Sequence, residues 1–142
     1  MTLAELLMEL HISTQAPVSV VAKQNKLSPS QLLCIFSIPF DGITQTELAL
    51  KLSIDLSTIS RNLDILINLN LVYKEASKHD KRSTVIFLSP KGKNVYENIL
   101  SDLNNYYNNL NTILDYDHIQ IFMECVAKIN WFMLTNKINN NE

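Results

Sequence analysis

Hydroxyl, amide and guanidinium side chains cluster in one short segment near the middle of this 142-residue chain. A helix is predicted over residues 56–69, with Ile59, Leu63, Leu66 and Ile67 along its apolar side. Its other side carries groups that suit close approach to phosphates and base edges: Ser57, Thr58, Ser60, Arg61 and Asn62. By itself, this pattern also fits an ordinary solvated face on a small helical bundle.

Another short helix is predicted just before this one. Thr44-Gln45-Thr46-Glu47 forms a capping box, in which the threonine oxygen accepts from the third helical N–H and the glutamate bonds back. Asp55 is a suitable cap for the helix at 56–69, and Asn70 ends that helix in a left-handed conformation. Two short helices in this order are typical of a helix-turn-helix, and Thr44 is a further candidate DNA contact.

A charged hairpin is predicted to follow the second helix. Residues 71–76 and 84–88 are rich in β-branched and aromatic residues, as strands are. The loop between them carries three positive charges and one negative charge, and its candidate DNA contacts are Lys78, His79, Asp80, Lys81 and Arg82. Such a charge run alone would indicate a solvated tip. After a recognition-type helix, however, it can reach an adjacent minor groove, where arginine is favoured.

These segments resemble the MarR family of bacterial transcriptional regulators. The resemblance rests on residues 44–71, on Asp80-Lys81-Arg82 as a wing signature, and on Leu88-Ser89-Pro90-Lys91-Gly92 as the step into a long helix. It implies a winged-helix dimer that binds a pseudo-palindromic operator and is often released by a small phenolic ligand or by oxidation. It also implies that Arg82 enters the minor groove and that Asp80 holds an arginine in place, for which Arg61 is the candidate.

The predicted fold is mainly α, with a small β-hairpin wing. It divides into an N-terminal dimerisation helix region at 1–27, a winged helix-turn-helix core at 28–92 and C-terminal dimerisation helices at 93–142. Within the core, Ser28 and Pro29 open a helix that is apolar nearly all round and therefore predicted to be buried. Apolar stripes on the flanking helices predict a homodimer, with a monomer in which they pack on the core as the alternative.

Pro17 interrupts the predicted first helix. A proline inside a helix removes a hydrogen bond and clashes with the preceding turn. We therefore expect this helix to be kinked or split near residues 13–17.

Charge is distributed unevenly along the chain. The net charge is −2, but residues 51–93 hold eight basic and four acidic residues, a balance of +4 against −6 for the remainder. A basic segment on an acidic body suits an oriented approach to nucleic acid. The sequence shows neither an apolar run of membrane-spanning length nor the plan of a signal peptide at Met1, so a cytoplasmic protein is expected.

Few residues suggest other chemistry. Cys34 lies among apolar residues and is interpreted as a small buried thiol, with oxidation sensing as the weaker alternative; Cys125 is less suggestive still. The histidines and cysteines lack zinc-ligand spacing, and with only Gly42 and Gly92 the chain has neither a nucleophile elbow nor a phosphate-binding glycine loop. We thus expect no metal, no cofactor and no catalysis.

Two further possibilities concern binding. His11 could line an effector pocket between the dimerisation helices and the winged helix, although an ordinary partly buried histidine is the commoner case. The functional alternative to DNA binding is a winged-helix module that uses its wing to contact another protein.

Overall fold

The computed structural model describes residues 1–139. Within that range the chain forms helices, one 3-10 turn and three strands, in the order α1 (Leu3–Ser13), α2 (Gln15–Gln24), α3 (Pro29–Ser37), β1 (Ile43–Thr44), α4 (Gln45–Leu52), α5 (Leu56–Asn68), β2 (Val72–Ala76), β3 (Thr84–Leu88), α6 (Pro90–Tyr107), a 3-10 helix (Asn108–Thr112) and α7 (Tyr116–Asn139). The predicted fold class, mainly helical with a small β wing, is confirmed.

Two compact units make up the chain, Met1–Asn104 and Asn105–Glu142. The first unit contains the hydrophobic core, to which α2 through α6 contribute. The second unit holds the 3-10 helix and α7. The Asp115 carboxylate caps the start of α7 by accepting from the His118 N–H at 2.9 Å. None of the residues described in this second unit is buried.

Side-chain caps begin the helices where the sequence predicted them. Thr44 and Ser28 each form a complete capping box, with Glu47 and Gln31 respectively. The Asp55 side chain caps α5 by accepting from the Thr58 N–H at 2.9 Å. Each cap satisfies N–H groups that the first turn of a helix leaves without partners.

The break between α1 and α2 lies at Thr14, as the position of Pro17 predicts. The Thr14 N–H still donates to the Leu10 carbonyl at 2.9 Å, so α1 closes normally. Pro17 is the third residue of α2, a first-turn position where a missing N–H costs little, and its side chain is buried. The split thus places the proline where a helix tolerates it.

A third strand, β1, was not predicted from the sequence. The sheet order is β1-β3-β2, with both pairings antiparallel and Ile43 opposite Ile86. Two residues are too short to show alternation, so β1 carries no periodic signal. Gly42, just before β1, has φ +90°, and a Cβ there would lie 2.6 Å from the Phe87 ring. Glycine thus allows the chain to enter the sheet edge.

Helix α3 is less buried than its composition predicts. Leu32, Cys34 and Ile35 lie in the core, but Leu33 and Phe36 are 38% and 39% exposed. Phe36 stacks on the Tyr96 ring of α6, with the ring centroids 5.4 Å apart, but this contact leaves it partly exposed. The prediction that α3 is buried nearly all round is therefore wrong for this side of the helix.

The junction between α5 and α6 is tied by side chains at the start of α6. Ser89 Oγ donates to the Asn70 carbonyl at 2.6 Å and accepts from the Gly92 N–H at 2.9 Å. Lys91 Nζ donates to the Leu69 carbonyl at 3.0 Å, where α5 ends. These bonds satisfy carbonyl groups at the end of α5 and fix the point at which α6 leaves the sheet.

Candidate nucleic-acid interface

The first turn of α5 carries a connected set of hydrogen bonds centred on Asp55. One carboxylate oxygen accepts from the Ser57 hydroxyl and from the Thr58 N–H, and the other accepts from the Thr58 hydroxyl at 2.9 Å. Arg61 then donates to Thr58 Oγ1 at 3.3 Å. Bonds from the Ser57 hydroxyl first, and then from Thr58, hold the pKa of Asp55 far below its usual range. Asp55 is therefore ionised whenever the protein is folded near neutral pH.

Asn62 faces inward rather than toward solvent. It is 9% exposed, and its Nδ2 donates to Ser30 Oγ of α3 at 2.7 Å. It also bonds to the Cys34 side chain. The geometry is against the predicted DNA contact by Asn62, because an amide held on the core side of α5 cannot reach a ligand on the outer side.

The loop joining β2 and β3 is organised by Ser77 and Asp80. Asp80 Oδ1 accepts from the Arg82 N–H at 2.9 Å, and the Asp80 carbonyl accepts from the Ser83 N–H at 3.0 Å. Ser77 Oγ accepts from the N–H groups of His79 and Asp80. These bonds form a local turn that directs Arg82 outward.

No ion pair joins Asp80 to Arg61 in the part of the chain described, so the suggested pairing is not seen. Asp80 bonds to the backbone of Arg82, whereas Arg61 bonds within its own helix. The carboxylate therefore shapes the wing itself rather than linking the wing to α5.

A groove of about 310 Å³ lies between the starts of α4 and α5 on one side and the wing on the other. Its lining joins residues distant in the sequence: Thr44, Gln45, Thr46, Leu56, Arg82, Ser83 and Thr84. Leu56 is 51% exposed here, although it was not among the predicted contacts. Its sequence signal is weak, since a leucine beside a helix cap usually packs inward. The groove brings the predicted Thr44 and Arg82 to one surface.

Basic side chains of residues 51–93 fall into two groups. Lys51 and Lys91 donate to the backbone carbonyls of Ser37 and Leu69, and Lys93 lies 5.5 Å from the centre of the Phe40 ring. These three lysines therefore make contacts within the protein itself. The exposed cations on α5 and the wing are Arg61, Lys74, Lys78, Lys81 and Arg82. The positive charge available to a ligand is therefore concentrated on α5 and the hairpin.

The remaining predicted contacts lie at the surface. Ser60 is half-buried on α5, and His79 is exposed on the wing loop. His11, the candidate effector contact, is exposed on α1, where its Nε2 lies 3.3 Å from Gln15 Nε2. His11 is therefore not the partly buried histidine that the sequence analysis gave as the commoner case.

Burial separates the two cysteines. Cys34 is fully buried, and burial raises the pKa of its thiol to about 11, an effect that the hydrogen bond from Asn62 partly opposes. Cys125 is exposed on α7. A thiol that is both inaccessible and hard to ionise reacts slowly with oxidants, which weighs against Cys34 as an oxidation sensor.

Residues 1–139 contain no group of three or more His, Cys, Asp or Glu side chains placed to hold a metal ion. In the same range, every helix is too short or too polar to cross a membrane.

A helix-turn-helix and a following β-hairpin share one core here, and the third strand, β1, pairs with the hairpin. This arrangement defines a winged-helix protein. The sequence of residues 25–83 matches the model of the MarR family. This region, from the end of α2 to the wing, thus matches the MarR family, in agreement with the resemblance found in the sequence.

Solved structures share the fold across most of the chain. Wild-type MarR from E. coli in its apo form is 21% identical, with a TM-score of 0.78 over 91% of this chain and 96% of that one. The transcriptional regulator SlyA is 20% identical, with a TM-score of 0.75 over 93% and 96%. A mutant MarR from E. coli complexed with operator DNA is 22% identical, with a TM-score of 0.70 over 89% and 92%. A search of curated proteins found no match.

Proposed function

We propose that this protein is a DNA-binding transcriptional regulator, acting as a homodimeric repressor on a pseudo-palindromic operator. The observation that carries the proposal is the shared surface of α5 and the wing, which presents unpaired cations beside the recognition helix. In residues 1–139, the Arg82 guanidinium has neither a hydrogen bond nor a salt bridge, so it is available to phosphates or a minor groove. The solved structure of a MarR mutant with operator DNA supports the same use of this fold.

In this proposal, α5 enters the major groove and the wing spans to the adjacent minor groove. Asp80 shapes the wing turn in this proposal, and the direct contacts are the other exposed or half-exposed members of the predicted set: Thr44, Ser57, Thr58, Ser60, Arg61, Lys78, His79, Lys81 and Arg82. In a two-fold dimer, the two copies of α5 would lie about one helical turn, ~34 Å, apart along the duplex. Repression would follow from occupation of a promoter.

Apolar faces on the outer helices support the dimer. Leu3, Leu6 and Leu10 lie on one side of α1 and are 69%, 50% and 45% exposed. On α7, Phe122, Trp131 and other large apolar side chains are also exposed. Exposed apolar surface on this scale is costly in water, and a second copy of the chain would remove it.

Fluorescence anisotropy on operator-containing duplex DNA, titrated across salt, tests the DNA-binding proposal. We expect affinity to fall steeply with salt. The protein's Lys and Arg side chains release counterions from the DNA phosphates on binding, and a higher salt concentration opposes this release. Arg82→Ala should weaken binding by ~1–3 kcal/mol. The matched control is Lys128→Ala, which removes the same charge from an exposed site on α7 and should change affinity little. Equal effects of the two variants, or no duplex binding at low salt, would favour the protein-binding alternative.

The turn at Asp80 provides a second comparison. Asp80→Asn retains a side-chain oxygen that can accept from the Arg82 N–H, whereas Asp80→Ala does not. Because both variants lose the same negative charge, we expect Asp80→Ala to bind DNA more weakly than Asp80→Asn does. If both variants bind equally well, the wing turn does not depend on this bond.

Analytical ultracentrifugation tests the dimer. Leu6→Glu places a charge on the apolar side of α1 and should shift the protein toward monomer. Glu9→Lys, on the same helix outside the Leu3–Leu6–Leu10 side, is the control. A wild-type monomer at micromolar concentration would refute the homodimer.

A small-molecule effector that releases the operator completes the proposal, with His11 as a candidate contact. Competition of ligand against labelled operator, in the wild type and in His11→Ala, tests it. A ligand that displaces DNA equally from both proteins would remove His11 from the site.

A further inference from the structure

The hydroxyl groups in the first turn of α5 are restricted in the kind of hydrogen bond that they can still form. A serine or threonine hydroxyl has one proton to donate and two lone pairs that accept, whereas an ionised carboxylate only accepts. The bonds from Ser57 and Thr58 to Asp55 must therefore use the hydroxyl protons of both residues. Each hydroxyl is left able to accept a hydrogen bond but not to donate one.

This restriction decides which DNA groups these hydroxyls can meet. Phosphate oxygens only accept, as do guanine N7 and O6 and thymine O4 in the major groove. An acceptor-only hydroxyl cannot bond to any of them. Its possible partners in that groove are the amino groups of adenine and cytosine.

Ser57 and Thr58 differ in what remains available. Thr58 is half-buried, and one of its lone pairs already accepts from Arg61 at 3.3 Å, so it holds the arginine in position. Ser57 is exposed, and within residues 1–139 its hydroxyl bonds to Asp55 alone. Ser57 is therefore the hydroxyl free to meet a base.

Leu56 adds an independent preference. Its side chain is 51% exposed in the groove between α5 and the wing. An exposed apolar group beside a base edge favours the methyl group of thymine. An A·T pair presents both this methyl group and the adenine amino group in the major groove.

We infer that Ser57 is a specificity-determining residue that accepts from an adenine amino group, with Asp55 as the positioning residue that removes its ability to donate. The role rests on the proposed function, since it requires α5 to lie in the major groove. It makes the first turn of α5 a reader of A·T pairs, while Arg61 and the wing supply the donors that phosphates and guanine require.

Selection of duplexes from a random pool tests this with the full-length protein and Ser57→Ala. The wild type should enrich adenine at one position of each half-site, and Ser57→Ala should lose that preference while keeping the others. Ser101→Ala, at an exposed position of α6 outside the proposed interface, is the matched control and should leave this preference intact.

Chemical substitution of the DNA then isolates the hydrogen bond. Purine in place of the selected adenine deletes only the amino group and should weaken wild-type binding about 2- to 10-fold. The same substitution should not weaken Ser57→Ala further. Asp55→Asn keeps the oxygen that accepts from both the Ser57 hydroxyl and the Thr58 N–H, so it should remain as sensitive to purine as the wild type while it gains affinity for all sequences by losing a negative charge.

The outcomes separate the two proposals. Enrichment of no duplex at any salt concentration would overturn both. The inference alone would be overturned if duplexes are enriched but the wild type and Ser57→Ala are equally sensitive to purine. It would also be overturned if Ser57→Ala loses affinity uniformly for all sequences. A uniform loss is the behaviour of a phosphate contact.

Discussion

Replacing Gly92 with alanine should destabilise the protein, although alanine is the better helix former. Gly92 lies in the first turn of α6, and a Cβ added there would be 1.9 Å from the Leu71 carbonyl oxygen. The obstacle is backbone, so it cannot rotate aside. To reach even 3.0 Å, α6 and the Leu71 backbone just before β2 must separate by at least 1.1 Å.

That separation would strain the bonds at the junction. The Ser89 N–H donates to the Leu71 carbonyl at 3.0 Å, Ser89 Oγ to the Asn70 carbonyl at 2.6 Å, and Lys91 Nζ to the Leu69 carbonyl at 3.0 Å. Overpacking of this kind costs about 1–3 kcal/mol, and each hydrogen bond lost adds about 0.5–1.5 kcal/mol. The helix propensity of alanine returns about 1 kcal/mol. We expect a net loss of about 2 kcal/mol.

Urea unfolding followed by circular dichroism, at one fixed protein concentration, measures this loss. The midpoint should fall by about 1 M with little change in slope. Asn94→Ala, at an exposed position of the same helix, is the control and should be neutral or slightly stabilising. If Gly92→Ala unfolds at the same urea concentration as Asn94→Ala, the close approach to Leu71 does not constrain the junction.

Three further predictions concern buried and capping groups. Asn62→Ala should cost about 1–3 kcal/mol in urea unfolding, because it leaves the Ser30 hydroxyl without its partner, and a loss no larger than that of exposed Asn68→Ala would contradict this. In a Cys125→Ser background, Cys34 should react with a thiol reagent at pH 8 only as fast as the protein unfolds, because burial raises its pKa to about 11; rapid labelling would show an open route to it. Bonds from the Thr44 hydroxyl and N–H lower the pKa of Glu47 from 4.5, so its contribution to stability is present above pH 4.5 and is lost as the pH falls through the folded-state pKa. Glu47→Gln should therefore remove part of the acid-side loss in unfolding free energy, and identical pH profiles would argue against this cap.

Local features of the fold could be predicted from the sequence because neighbouring residues make them. The caps at Ser28, Thr44 and Asp55 bond to N–H groups three residues ahead, so no distant part of the chain is needed to form them. The left-handed Asn70, with φ +58°, and the split before Pro17 are likewise set within one turn of backbone. Helix α5 and both wing strands were found for the same reason.

Tertiary packing decided what each side chain faces. Asn62 follows Arg61 directly in sequence, yet the contact between α5 and α3 turns Asn62 toward Ser30 and leaves Arg61 outside. Strand β1 exists only because β3 offers an edge for two residues to pair with.

The sequence by itself indicated the resemblance to the MarR family, the order of the helices and of the two hairpin strands, and the basic segment at 51–93. Only the tertiary structure decided that Leu56 and Arg82 share one groove and that Asp80 bonds to its own turn rather than to Arg61. The physical reason is the separation along the chain of the residues that determine each feature. Caps and turns depend on bonds over a few residues, whereas the composition of a surface depends on how separate helices and strands pack and rotate against each other.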